Sequence, residues 1–286
     1  DFGIKGVLDR FTQIEPKVLF AANGYYYNGK KFDSLEKLNS ILDQLPSVDH
    51  VVVTPYTDSN PDISSVKNGI LWDNFIDSNP SPLKFEQLPF QHPLYIMYSS
   101  GTTGLPKSIV HGAGGTLIQH LKELRLHCNI YPEDTIFYFT TCGWMMWNWL
   151  VSNLAIGAAI VLYDGSPLQP NSNAMWDMVD ELGITHFGTS AKYIDACRQE
   201  GLSPIKTHSL ESMRTIFSTG SPLVEESFDY VYNQIKKEIQ LASISGGTDI
   251  ISCFAGGNPT LPVYRGELQS ITLGMDVAAY NPEGNP

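Results

Sequence analysis

The chain predicts a doubly wound α/β fold with mostly parallel sheets and helices on both faces, on three observations. From Tyr95 onward short β-branched and aromatic runs alternate with amphipathic helical patterns, and that alternation implies parallel strands joined by right-handed crossovers. Of the 286 residues 42% are hydrophobic, enough for one large domain or two modest ones. No run approaches the roughly 18 to 20 successive apolar residues of a membrane span.

After Tyr26, the segment YNGKKFDSLEKLNSILDQL places Leu35, Leu38, Ile41 and Leu42 at helical spacing, and the apolar run HVVVTPY follows as a strand. Residues 57 to 92 are rich in Asp, Ser, Asn and Pro and read as irregular connection with one short helix near Trp72 to Ile76. The chain therefore divides into a partial first α/β subdomain with its connection, residues 1–90, and a second α/β subdomain, residues 91–286. Strands are expected at LYIMYS, KSIVH, TIFYFTT, AAIVLYD, THFGTS, RTIFSTG and QLASIS, with helices at GGTLIQHLKELRLH and NAMWDMVDEL. In the first of these helices Leu117, Ile118, Leu121 and Leu124 fall on one face, the expected core face. Ligands of such a fold sit at the carboxyl ends of its strands, so the loops there are where chemistry is expected.

Composition narrows the partners. The net charge is -12 and the largest basic cluster is Lys236-Lys237, which argues against a nucleic-acid surface. Cys128, Cys142, Cys197 and Cys253 are scattered, with no C-x-x-C pair, so neither zinc nor a disulfide framework is expected and a reducing cytosol fits best. The start, DFGIKGVLDR, lacks a signal-peptide layout. It also lacks Met, and the end, NPEGNP, follows the strand-like MDVAAY at a turn, so a central fragment of a longer chain is expected. The histidines, His111, His120 and His127 among them, show no ligand spacing and are expected on the surface or satisfied in the core. Arg265 and Glu267 are expected to form a structural ion pair or to be strand-edge charges.

The stretch YSSGTTGLPKS is one residue away from a Walker loop, G-x-x-x-x-G-K-[ST], with Pro106 in place of the second glycine. A Walker loop runs directly into a helix whose first N–H groups face the phosphates, whereas Pro106 removes a donor and SIVH after Lys107 is strand-like. A plain hairpin turn would explain Gly101 and Gly104 but not the hydroxyls of Ser99, Ser100, Thr102 and Thr103 beside one lysine. Many donors, close backbone approach and a compact positive charge are what a polyphosphate requires.

This stretch resembles the signature loop of the adenylate-forming enzymes, the superfamily of acyl-CoA synthetases, luciferases and peptide-synthetase adenylation domains, with Ser108 where the family usually has glycine. The resemblance implies that Ser99, Ser100, Gly101, Thr102, Thr103, Gly104 and Lys107 hold the β- and γ-phosphates of ATP. TTCGWMMWNWL resembles the aromatic segment lining an acyl pocket, with Gly143, Trp144, Met145 and Met146 in matching places. On composition alone Trp147 and Trp149 read instead as part of a buried helix. STGSPL resembles the adenine-binding turn, through Gly220, Ser221 and Pro222, although alone it would be a strand-to-helix cap made by Ser221. SISGGTDI resembles the segment at the adenylate phosphate. There Gly246, Gly247 and Thr248 would border the adenine, Thr248 would touch the α-phosphate, and Asp249 would hold Mg2+. The competing reading is a Thr or Asp N-cap opening a short helix, IISCF.

Lys107, Thr248 and Asp249 are thus the implied catalytic residues. Ser245 and Gly246 stand where many relatives carry aromatics, and a glycine at 246 in the acyl pocket would leave room for a short keto acid. What the resemblance implies is ATP-dependent, Mg2+-dependent ligation of acetoacetate to coenzyme A through an acyl-adenylate in the cytosol. Another short-chain acyl-CoA synthetase, or an ATP-binding fragment without catalysis, remains open. The family's small carboxy-terminal domain, with its lysine, lies beyond Pro286, so the chain alone is expected to be inactive.

Overall fold

A computed structural model describes residues 2–99 and 104–286. The chain forms two compact units, one comprising residues 1–111 and 164–166, the other 112–163 and 167–286. The strands near Tyr95 thus fall mostly in the first unit, and this division lies later than the 90/91 boundary read from composition.

The first unit opens with α1 (Ile4–Phe11), β1 (Val18–Ala22), the hairpin β2 (Gly24–Tyr27) and β3 (Lys30–Asp33), and α2 (Leu35–Leu42). It continues with β4 (His50–Thr54), β5 (Gly69–Leu71), α3 (Trp72–Phe75), β6 (Pro93–Ser99) and β7 (Lys107–Gly112). Strands β1, β4 and β5 make a parallel sheet with β4 central. Both faces of a central parallel strand are covered, which is why HVVVT is a continuous apolar run with Val51, Val52 and Val53 fully buried. Leu38, Ile41 and Leu42 of α2 pack on it, as their helical spacing requires. The short strand β5 was hidden in the polar connection, where three residues give no periodicity to read.

The second unit contains α4 (Ala113–Lys122), β8 (Thr135–Tyr138), α5 (Met145–Val151), β9 (Ala159–Val161), α6 (Ala174–Leu182), β10 (His186–Ser190) and α7 (Ala191–Gln199). Then follow α8 (Pro204–Thr207), β11 (Thr215–Thr219), α9 (Glu225–Tyr230), β12 (Gln240–Ser243), β13 (Ser245–Gly247), β14 (Ser252–Gly256) and β15 (Ser270–Ile271). Five strands form one sheet in the order β12-β11-β10-β8-β9, every pair parallel. Alternate residues point to opposite faces. Phe137, Phe187, Ile216 and Leu241 meet Trp176 of α6, Ile194 of α7 and Phe228 of α9, while Ile136, Tyr138, Phe217 and Ala242 meet Leu124 and Trp149 on the other side. That is the doubly wound arrangement expected. Trp176 stacks on Phe187 at 5.1 Å, and burying each large side chain of this kind stabilises the fold by roughly 1.5–3 kcal/mol.

Three expectations change here. The buried face of α4 and of the π-helical turn that continues it, Glu123–His127, is only partly the apolar stripe: Leu124 is fully buried and Leu121 half-buried, but Leu117 and Ile118 are exposed, and Thr116, His120, Glu123 and His127 are buried. The reason is what the helix meets, namely backbone N–H and carbonyl groups of a hairpin, which need polar partners. In the segment IISCF the two isoleucines lie in a turn and Ser252 to Phe254 begin strand β14, antiparallel to β13, so no helix is capped there. Arg265 binds Asp229 at 3.0 Å and also Glu225, both on α9, rather than Glu267.

Candidate functional site

Within the first unit, β6 and β7 are neighbours in a two-stranded sheet and bracket the hydroxyl-rich loop, so the context is strand, loop, strand and not strand, loop, helix. Ser100, Gly101, Thr102 and Thr103 lie outside the described residues. Ser99 ends β6 half-buried, and Gly104 and Lys107 are exposed at the other rim. Helix α1 and the turn after it hold both flanks: Gln13 Nε2 donates to the Pro106 carbonyl at 2.7 Å, Ser108 Oγ donates to Gln13 Oε1 at 3.0 Å, and Tyr98 Oη donates to the Arg10 carbonyl at 3.0 Å. The serine in place of glycine at 108 thus has its hydroxyl engaged with Gln13.

In the second unit, the carboxyl ends of β8, β10, β11 and β12 surround a cavity of about 640 Å³. Its position obeys the rule for open parallel sheets, because only at those ends do the crossovers leave a crevice. After β8 the chain turns into α5, and Trp144, Met145 and Met146 form an apolar wall. Gly143 precedes that wall and does not line it. Trp149, deeper on α5, is 3% exposed and packs edge-on against Tyr138 and Phe217, so the buried-helix reading fits it.

After β11 come Gly220, Ser221 and Pro222, all lining the cavity. Gly220 has φ of 89°, a left-handed conformation that favours glycine and turns the chain sharply at the strand end. Ser221 caps nothing, since α9 starts later, after Val224, and has no side-chain cap. After β12 the hairpin β13–β14 contributes Ser245, Gly246, Gly247 and Thr248 to the lining, while Asp249 stands exposed at the hairpin turn. Among the described residues no three His, Cys, Asp or Glu side chains converge on a metal position. Asp249 alone suits Mg2+ only as it usually travels with nucleotides, held mainly by phosphates and water with one or two carboxylates.

Sequence reasoning missed Lys192, Glu123 and Glu267, which also line the cavity. Lys192 follows β10 within THFGTSAK and could have been found by applying the strand-end rule to β10 as well. It sits in the first turn of α7, against the helix dipole, after Ser190 Oγ accepts a hydrogen bond from Tyr193 N at 3.2 Å. Glu123 was concealed by counting only apolar residues on α4. Two lining thiols, Cys128 and Cys253, are pushed above the ordinary thiol value, chiefly by burial and then by the Glu123 carboxylate. Neither is disposed to be a thiolate nucleophile.

The AMP-binding enzyme family matches residues 2–277. The chain is 56% identical over 293 residues to an acetoacetyl-CoA synthetase of Gallus gallus, spanning 100% of this chain and 44% of that protein. It is 55% identical over 294 residues to an acetoacetyl-CoA synthetase of Danio rerio, with the same coverage of 100% and 44%. Among solved structures, that of an acetoacetyl-CoA synthetase from Streptomyces lividans superposes with a TM-score of 0.90 at 45% identity, over 100% of this chain and 44% of that one. The chain thus spans less than half the length of the relatives it matches.

Proposed function

The chain belongs to the AMP-binding enzyme family, and from that premise we propose that the protein activates acetoacetate with ATP and transfers it to coenzyme A. The observation that carries this reading is the single cavity in which a Trp144–Met145–Met146 wall and the Gly220–Pro222 and Gly246–Thr248 segments share one lining. An apolar wall for a short acyl chain beside glycine-rich backbone for a nucleotide is what an acyl-adenylate needs.

In the reaction the acid's carboxylate oxygen attacks the α-phosphorus, pyrophosphate leaves, and the coenzyme A thiol then displaces AMP from the acyl carbon. The protein's part is positioning and charge neutralisation. Trp144, Met145 and Met146 hold the acyl chain, Gly220, Ser221 and Pro222 border the adenine, and Thr248 donates to the α-phosphate. The loop from Ser99 to Lys107 grips the departing phosphates. When bound, Mg2+ would neutralise phosphate charge, and Asp249 would be the residue that holds it. The cytosol is the proposed compartment, in keeping with four cysteines that are all thiols.

A second reading, another short-chain acyl-CoA synthetase, is favoured by one observation. A Cβ on Gly246 would run into the backbone of Ser252 and Cys253. Glycine there is required by the hairpin, so it does not by itself report acyl length. The test is ATP/pyrophosphate exchange by the full gene product with acetoacetate, acetate and butyrate compared. Preference for acetoacetate is expected; preference for acetate or butyrate moves the protein to the second reading, and exchange with none removes both.

A further inference from the structure

Glu123 is 2% exposed, yet it is a carboxylate among the residues that line the cavity. Such a group is costly to bury unless several donors converge on it. They do. Oε1 accepts from Cys253 N at 3.2 Å, from Gln119 Nε2 at 3.1 Å and from Ser252 Oγ, and Oε2 accepts from Trp149 Nε1 at 3.3 Å. Lys122 Nζ stands 3.8 Å from Oε1.

The neighbours of Glu123 on the same helical face make the pattern general. His120 Nε2 lies 2.7 Å from the Ile251 carbonyl, and His127 Nδ1 lies 2.9 Å from the Gly257 carbonyl while its Nε2 accepts from Leu273 N at 3.0 Å. Residues 120, 123 and 127 follow helical spacing, so one face meets β14 and the segments flanking it at successive heights. The register is adjusted by a π-helical turn over Glu123–His127, closed by Cys128 N donating to the Glu123 carbonyl at 2.9 Å. Single π turns of this kind recur at functional sites.

What this face holds is the return strand of the hairpin whose outgoing strand supplies Gly246 and Gly247, with Thr248 next in the turn. The outgoing strand is fixed at its start, where Thr219 Oγ1 donates to the Ile244 carbonyl at 2.9 Å. Side chains that hydrogen-bond the return strand include Glu123, which accepts from Cys253 N and Ser252 Oγ, Gln119, whose Nε2 donates to Ser252 Oγ, and Thr272, whose Oγ1 donates to the Cys253 carbonyl at 2.7 Å. We propose that Glu123 is a positioning residue which, with His120 and His127, sets the height of the β13–β14 hairpin and thereby places Gly246, Gly247 and Thr248 against nucleotide and acid. The proposal rests on the functional reading above for what the hairpin contacts.

The test measures ATP affinity by calorimetry, then the KM for ATP and for the best acid in pyrophosphate exchange, on the full gene product. Glu123→Gln keeps size but presents an amide N–H₂ to one set of donors, and it is expected to weaken ATP binding and raise both KM values roughly tenfold, with thermal unfolding still cooperative. Ser252→Ala removes one donor and is expected to act in the same direction by about threefold, deciding the matter should Glu123→Gln fail to fold. Leu124→Ala, a fully buried neighbour outside the cavity lining, is the control: it should lower the melting temperature and leave affinity and KM unchanged. If Glu123→Gln or Ser252→Ala merely lowers the melting temperature, as Leu124→Ala does, the positioning role is overturned. A wild type that binds ATP but activates no acid defeats the functional reading while the affinities still decide this one. A wild type that binds no ATP overturns both.

Discussion

The backbone carbonyl of Ser252 occupies the space that a Cβ on Gly246 would need, and the Cα of Cys253 would stand 2.7 Å from it. This contact lies between two hydrogen-bonded strands, beside a bulge at Ser245/Gly246, so neither partner can move away cheaply. Any side chain at 246 therefore opposes the hairpin before it can reshape the acyl pocket. Gly246→Ala and Gly246→Trp are expected to destabilise the fold by about 1–3 kcal/mol, the alanine least, and to depress exchange with every acid. Urea denaturation and exchange assays across acetate, butyrate and acetoacetate check this. A Gly246→Trp protein of normal stability that had turned to acetate would refute it.

Lys107 and Thr248 are expected to fail in different ways. Lys107 is an exposed cation at the rim of the loop between β6 and β7, and Thr248 lines the cavity. Removing one electrostatic contact to charge that develops in a transition state costs on the order of 10²-fold or more in rate. Lys107→Met is expected to slow pyrophosphate exchange by about that factor with little effect on AMP binding, since AMP lacks the departing phosphates. Thr248→Ala should weaken AMP and ATP alike. Equilibrium binding of both nucleotides, set beside exchange rates, separates the two.

His186 makes the second unit acid-sensitive. Burial, the larger cause, and the Arg214 charge lower its pKa from the ordinary 6.5 to about 4, while Asp134 opposes them. Its ring is 1% exposed, with Nε2 at 3.1 Å from the Cys128 carbonyl. The unfolded chain takes up a proton near pH 6.5 and the native protein resists until about 4. Stability is therefore complete above pH 6.5 and is lost progressively as pH falls to 4, by about 3 kcal/mol in total. Urea denaturation at pH 7 and pH 5 should show a smaller loss in His186→Gln than in wild type, the difference isolating this residue from the carboxylates.

The five-strand sheet was legible because parallel strands buried on both faces write themselves as continuous β-branched and aromatic runs, and TIFY, HFGTS and TIFST each became a strand close to where the run lies. Cavity-lining residues were legible where they follow strand ends, as Gly220 to Pro222 and Gly246 to Thr248 do. The lining was hidden where it comes from a helix face, as at Glu123. Apolar periodicity located α4 and placed Leu124 in the core, but it missed the polar part of the buried face, because Leu117 and Ile118 satisfy the hydrophobic pattern while His120, Glu123 and His127 satisfy backbone groups of the hairpin and its flanks. Hydrogen-bond demand of a neighbouring segment leaves no periodic trace in the helix that meets it. Arg265 likewise could be paired with Glu267 by proximity in sequence, whereas Asp229 and Glu225 reach it only through the placement of α9.

Arg214 gives the sharpest test of the acid response because it acts on stability and on His186 with opposite signs. Its guanidinium, half-exposed, donates to Asp134, whose carboxyl is 2% exposed and also accepts from Tyr131 N at 2.8 Å. Arg214→Met leaves that buried carboxylate with its backbone donor alone, a loss expected near 1–2 kcal/mol at pH 7 once solvent screening of the arginine is allowed for. The same substitution removes a positive charge that holds the His186 pKa down, so that pKa should rise from about 4 toward the unfolded value and the pH window of instability should narrow. The variant is thus expected to be weaker than wild type at pH 7 but to lose less on passing to pH 5. Parallel stability curves would show that Arg214 does not act on His186, and NMR titration of the imidazole gives the direct reading of the same shift.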